Sequence, residues 1–298
     1  MNLFLSEGAR DQVPGDLIGR WVLRSDLAPV PRTVEFTVQP IEGMLDKVAV
    51  GKSIWTGYEL LEYEVVKAKQ EKVGGIVQGR DQAGAIHVTA LLKSCAQITY
   101  LRERAVVLER AQLGEVYRAC GAKAAIGDDF QIERFSCLRG QVPSYWIAQA
   151  LQEEGAALVL RENRLYIKRL HELVAQEPVG TIGQTDSTDS SESEFLERHS
   201  IPAFVSTDDA GAPVMGDTSA ARKVVFLPRT PERALRNATR VLVTRRVVDS
   251  DLAEQINAGD VLEVDGERLV VVTAAHSMVA NDGITQTDSR FWLGGMAL

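Results

Sequence analysis

The sequence holds three cysteines and four histidines among 298 residues, and it has no long apolar run. Cys95, Cys120 and Cys137 stand 25 and 17 residues apart, so neither a C-x-x-C pair nor a zinc ribbon can be drawn from them. An odd, sparse set fits folding in a reducing compartment, with the thiols acting as small buried hydrophobes. No apolar stretch approaches the roughly 18 residues that span a bilayer. Residues Met1 to Glu7 lack the basic and apolar regions of a secretory signal, so no membrane contact is expected. Acidic residues outnumber basic ones, 41 to 33, giving a net charge of −8. The resulting pI near 5.2 argues against a dedicated nucleic-acid binder, and no sequence-specific nucleic-acid partner is expected. What is present, 45% hydrophobic and 25% charged residues, is ordinary for a globular chain of two domains or three small ones.

The familiar catalytic patterns fail one by one. His87, His171, His199 and His276 include no H-E-x-x-H pair. His276-Ser277 invites a hydrolase reading, but no G-x-S-x-G elbow accompanies it. Gly51-Lys52-Ser53 resembles the tail of a phosphate loop, yet Asp46 occupies the position of the leading glycine, where an acid would repel phosphates. No G-x-G-x-x-G follows a strand. Glu153-Glu154 reads as a solvated helix end. No catalytic, cofactor-binding or metal residue is therefore assigned, and no cofactor is expected.

Strand patterns open the chain. Arg20–Arg24 and Thr33–Val38 alternate or cluster β-branched and aromatic residues. Gly74–Gly79 and Ala85–Thr89 would pair across Asp81–Gly84, and Glu59–Lys69 leans toward strand. The middle changes character. Leu113, Val116, Tyr117 and Cys120 make one helical stripe ended by Gly121. A second helix runs from Pro143 to Gly155 with Ile147, Ala150 and Leu151 inward. A hairpin, Ala157–Arg161 and Arg164–Lys168, follows through Glu162-Asn163. Gly183–Glu194 contains no side chain able to join a core and reads as a polar loop. Strands return at Val241–Thr244, Val261–Val264, Arg268–Val272 and Thr285–Leu293, with Asp265-Gly266 as a hairpin turn. Across this last part, Arg222, Lys223, Arg229, Arg233, Arg236, Arg240, Arg245 and Arg246 are countered locally only by Glu232. That basic stretch reads as a solvated face or a surface for an acidic protein partner, ahead of a polyanion site.

The stretch Leu113–Leu170 carries a resemblance. The helix Leu113–Cys120 ending in Gly121, Phe135, Gly140, and the run Val142-Pro-Ser-Tyr-Trp-Ile-Ala-Gln-Ala-Leu-Gln-Glu-Glu-Gly155 with its hairpin to Lys168 are similar to the late-control and baseplate-hub proteins of contractile-tailed phages. They also resemble the hub part of type VI secretion spikes. Gly259–Val264 and the strand closing on Ala275-His276-Ser277 resemble that family's second barrel. The resemblance implies a mainly β chain with an α/β insertion. Residues 1–108 would form a first tube-type β-barrel, 109–182 a small α/β domain, 183–194 the polar loop and 195–298 a second barrel. It implies a homotrimer whose six barrels ring one axis and join the tail tube protein to the central spike protein, touching other baseplate proteins. Assembly in the host cytoplasm and residence in the virion tail follow from it, with no enzymatic activity. The alternative is a tail-associated cell-wall hydrolase built on Glu153, Glu154 and His276-Ser277.

Overall fold

The computed structural model describes residues 2–8, 10–77, 80–182, 187–189, 201–218, 223–228, 230–281 and 284–297. The first third contains β1 (Leu3–Phe4), β2 (Ile18–Asp26), β3 (Arg32–Val38), α1 (Met44–Lys47), β4 (Ser53–Thr56), β5 (Leu61–Val77), β6 (Arg80–Leu92) and α2 (Lys93–Ala96). The middle contains β7 (Val106–Gln112), α3 (Leu113–Ala119), β8 (Ala125–Ile126), β9 (Gln131–Cys137), α4 (Pro143–Glu153), β10 (Ala156–Arg161), β11 (Arg164–Arg169), α5 (Leu170–Val174) and β12 (Gly180–Ile182). The last part contains β13 (Ser187–Asp189), β14 (Ala203–Thr207), β15 (Pro213–Met215), β16 (Val224–Phe226), α6 (Glu232–Ala238), β17 (Leu242–Ser250), β18 (Val261–Val264), β19 (Glu267–Asn281) and β20 (Ile284–Met296).

The chain is mainly β, as its alternating patterns imply. Its largest sheet has twelve strands in the order β1-β4-β5-β6-β3-β2-β19-β20-β17-β13, with β18 beside β19 and β12 parallel to β18. Where two barrels were expected, no closed barrel is found among the described residues; strands from both ends of the chain share one continuous sheet. The cause is the length of β19. Its fifteen residues give one edge room for two neighbours, β18 at Glu267–Val270 and β2 at Thr273–Val279.

Alternate residues of this sheet are buried because every second side chain faces the packed side. Trp21 and Leu23 on β2, Val34 and Phe36 on β3, Ile86 and Val88 on β6, Ala274 and Met278 on β19 and Phe291 on β20 all point there. Trp21 still satisfies its indole, whose Nε1 donates to Thr56 Oγ1 at 3.1 Å. The core under Trp21, Phe36 and Met278 runs on into the middle of the chain through Leu113, Val116, Tyr117, Ile147 and Leu165, while Ala274 and Phe291 pack in a second cluster with Val248 and Leu293.

The middle elements form for local reasons. α3 starts in a reciprocal cap between Gln112 and Glu115, with the Gln112 amide donating to Glu115 Oε2 at 3.1 Å. α4 carries proline in its first turn, where a missing N–H is tolerated. The β10–β11 turn places Glu162 and Asn163 at φ +48° and +57°, the paired left-handed conformation of a tight hairpin. A separate three-stranded sheet, β15-β14-β16, packs Phe204 against Leu235 and Ala238 of α6.

Three expectations change. Val77 pairs with Arg80, and Ile76 with Asp81, so the first hairpin reverses between residues 77 and 80 and Asp81–Gly84 belongs to β6. The ladder takes in this polar segment because pairing needs backbone groups and not apolar side chains. Within the expected polar loop, Ser187–Asp189 pairs with Val248–Arg246 as an edge strand, which needs backbone groups and no apolar side chain. The rest of Gly183–Glu194 lies outside the described residues. The strand expected at Val241–Thr244 continues to Ser250.

Candidate assembly surface

The residues that could have made a hydrolase are separated. His276 is fully buried, its Nδ1 2.8 Å from Ser289 Oγ and its Nε2 3.1 Å from the Ile256 carbonyl. Burial lowers its pKa to about 4, so the ring is neutral across ordinary pH. Ser277 points to the opposite face of β19 and donates to Asp288 at 2.6 Å. Glu154, expected on a solvated helix end, is buried. Arg233 grips it with two bonds of 2.6 and 2.7 Å, and Arg169 stands 3.4 Å away. The correction has a plain cause: α6 packs across the end of α4 and covers it. Glu153 is pushed up by burial, an effect opposed by the Gln149 amide that binds it.

His87 lies on the exposed face of β6, 3.1 Å from Glu71, and His199 lies outside the described residues. Cys95, Cys120 and Cys137 are all buried and unpaired, and burial raises each thiol above its ordinary pKa. Among the described residues, no three His, Cys, Asp or Glu side chains converge as a metal site.

The basic stretch is largely consumed inside the chain. Arg236 pairs with Glu232, Arg245 with Glu267 at 3.1 Å, Arg246 with Asp265, and Arg233 with Glu154. Arg222 and Arg229 lie outside the described residues. Glu232 is thus not the only counter-charge, since the fold supplies carboxylates from distant segments.

What the sheet does present is a broad polar face on six consecutive antiparallel strands, β5-β6-β3-β2-β19-β20. Two rows of side chains cross it. One runs Lys69, His87, Thr37, Arg20, Val279, Gln286. The next runs Lys67, Thr89, Glu35, Val22, Ser277, Asp288. The strands are legible in the sequence, but the surface they share is not. Its only signal was the polar residue at every second position of Arg20–Arg24 and Thr33–Val38.

Both lateral edges of the block are open among the described residues. β4 pairs with β5 only at Leu61–Glu64, leaving the outer edge of β5 without a strand neighbour from Lys67 onward. β17 pairs with β20 only at Ser289–Met296, leaving Ile284–Asp288 open. The row from Lys69 to Gln286 puts these two edges at one level of the sheet.

The fold has counterparts among solved structures. A tail protein from Neisseria meningitidis superposes with a TM-score of 0.59 at 10% identity, over 93% of this chain and 92% of that one. The chain has the fold of phage tail proteins. The 43 kDa tail protein of prophage MuSo2 from Shewanella oneidensis matches at 0.59 and 11% identity, covering 97% and 95%. An Escherichia coli component of the type VI secretion system, itself described as similar to the T4 tail proteins gp27 and gp5, matches at 0.51 and 8% identity, covering 93% and 73%. No family model matches the sequence, and no curated relative was found by sequence. The resemblance drawn from Leu113–Leu170 therefore extends, as a fold, to nearly the whole chain.

Proposed function

We propose that the chain is a structural hub of a phage-type tail baseplate, with no catalytic role. Three copies close into a ring that joins the tail tube to the central spike. Residues 1–108 and 195–298 supply the two tube-type halves of each copy, and 109–182 form the α/β insertion between them. The ring then repeats six related halves around one axis, assembled in the host cytoplasm and carried in the virion tail.

The observation that carries the reading is the six-strand block with its two open edges. Strands alternate in direction along it, so β5 and β20 run oppositely. The edge of β20 in one copy can therefore meet the edge of β5 in the next and keep the sheet antiparallel. Such a contact is head-to-tail, and head-to-tail contacts close into rings when the rotation allows. It also satisfies edge groups that would otherwise invite uncontrolled pairing. The shared fold with tail proteins supports the same reading.

Light scattering of the purified protein across a dilution series tests it. The expected particle has three times the 32.6 kDa chain mass, alone or once a tube or spike partner is added. A strict monomer in both conditions would overturn the ring. Turnover of purified peptidoglycan, lost on His276→Ala, would overturn the non-catalytic part.

A further inference from the structure

We propose that the cleft on the polar face of β2, β3, β6 and β5 is a site for phosphate-type oxyanions, held by charge and without reading sequence. The cleft measures about 420 Å³ and opens to solvent. Its lining includes Lys67 and Lys69 on β5 and Arg20 on β2, with His87, Thr89 and Thr37 on the two strands between them. None of the three cations makes an ion pair or a side-chain hydrogen bond among the described residues. That sets them apart from the arginines of the basic stretch, which are mostly spent within the fold. Of the two carboxylates lining the cleft, Glu71 is engaged by His87 at 3.1 Å. Glu35 and Glu71 together leave the three cations in excess by one.

The geometry suits an extended anion. Lys67 and Lys69 share a face two residues apart, roughly 7 Å along the strand, and Arg20 stands three strands away, roughly 14 Å across the sheet. Under the cleft β2, β3 and β6 are paired on both sides, so a peptide could add as a strand only at the outer edge of β5 and not across the cleft. Recognition falls to side-chain donors alone: two ammonium groups, a guanidinium and two hydroxyls. A phosphate oxyanion, with several acceptor oxygens, satisfies more of these donors than a carboxylate does. The occupant is a small phosphate or the phosphodiester backbone of a single strand. The site lies within one chain and does not depend on ring assembly.

Fluorescence anisotropy with a labelled single-stranded oligodeoxynucleotide of roughly twenty residues, longer than the ~4–16 nucleotides a typical groove covers, tests the proposal at a series of salt concentrations. With three phosphates neutralised, log K should fall with log salt at a slope of about −2. Lys67→Glu with Lys69→Glu should weaken binding at least about tenfold and flatten that slope by about 1.4. Glu35→Gln, which removes the opposing charge, should tighten binding. Arg240→Gln, in the exposed basic stretch, should leave it unchanged. Pyrophosphate should compete, and polyglutamate of equal charge should compete less well. Affinity that rises with oligonucleotide length assigns the site to a backbone, and affinity independent of length assigns it to a small phosphate; either supports the site. No binding at low salt, insensitivity to the Lys67 and Lys69 changes, loss on Arg240→Gln, or equal competition by polyglutamate would overturn it.

Discussion

The Arg233–Glu154–Arg169 cluster predicts a rescue that simple contact counting does not. Glu154 stands at the C-terminal cap of α4, where the helix dipole disfavours a carboxylate, and its side chain is only 6% exposed. Arg233 relieves it with two short bonds, while both terminal nitrogens of Arg169 stand 3.4 Å from Glu154 Oε2, one of them also donates to the Glu154 carbonyl at 2.7 Å, and the guanidinium lies over the Phe130 ring. Arg233→Ala leaves a buried carboxylate facing a single distant partner. Breaking a buried pair this way costs about 3–5 kcal/mol, and the remaining Arg169 brings the expected loss to about 2–3 kcal/mol. Glu154→Gln should be milder, at about 1 kcal/mol. Arg233 and Arg169 are 48% and 33% exposed and can turn to water, and the amide oxygen still accepts a bond. The double variant should therefore be more stable than Arg233→Ala alone, by about 1 kcal/mol, because the orphaned charge is gone. Urea unfolding gives the global values. Hydrogen exchange at α6 gives the local ones, since α6 belongs to a unit with its own small core. Equal stability of Arg233→Ala and the double variant would show that the buried carboxylate is not the source of the loss.

Two further substitutions read the fold itself. His276 titrates near 6.5 when unfolded and near 4 when folded, because burial disfavours its charged form. The unfolded chain thus binds the proton first: stability is intact above about pH 6.5 and falls, by on the order of 3 kcal/mol, as pH drops toward 4. His276→Gln should flatten that part of a Tm-against-pH curve, and an unchanged slope would contradict the assignment. Gly259 lies at φ +89°, and a Cβ there would stand 2.7 Å from Val159 Cγ2. Gly259→Ala should lose about 2–4 kcal/mol in urea unfolding. Adding Val159→Ala should recover less than half, because it removes the clash and not the backbone strain.

Local signals reached the strands that obey the simplest rule. β2 and β3 were legible because one face is packed, so Trp21, Leu23 and Phe36 alternate with polar neighbours. The β10–β11 hairpin was legible because Glu162-Asn163 tolerates a left-handed turn. The seam between β2 and β19 was not, since it joins residues about 250 positions apart through backbone ladders that leave no mark on either segment. β13 escaped for a related reason: Ser187–Asp189 joins an edge through its backbone and carries no apolar side chain. Glu153 and Glu154 are identical in type and adjacent in sequence, yet only the second receives arginines, one of them 79 positions further along the chain. A count of local charge could not see that partner, and for the same reason it overstated the free charge between Arg222 and Arg246.

The alternation that parts His276 from Ser277 also builds the surface. His276 and Ser277 are neighbours in sequence, and a strand sends neighbours to opposite faces. The histidine enters the core beside Ser289 and loses its basicity there. The serine joins the row that runs from Lys67 through Glu35 to Asp288. A pair at that spacing on a regular strand cannot act on one substrate atom, because the sheet stands between them. Residues scattered through the sequence, Arg20, Lys67 and Lys69 among them, meet on one face for the same reason: their strands are adjacent and their parity matches. On this chain, strand parity and strand order therefore predict which polar groups can cooperate, and proximity in sequence does not.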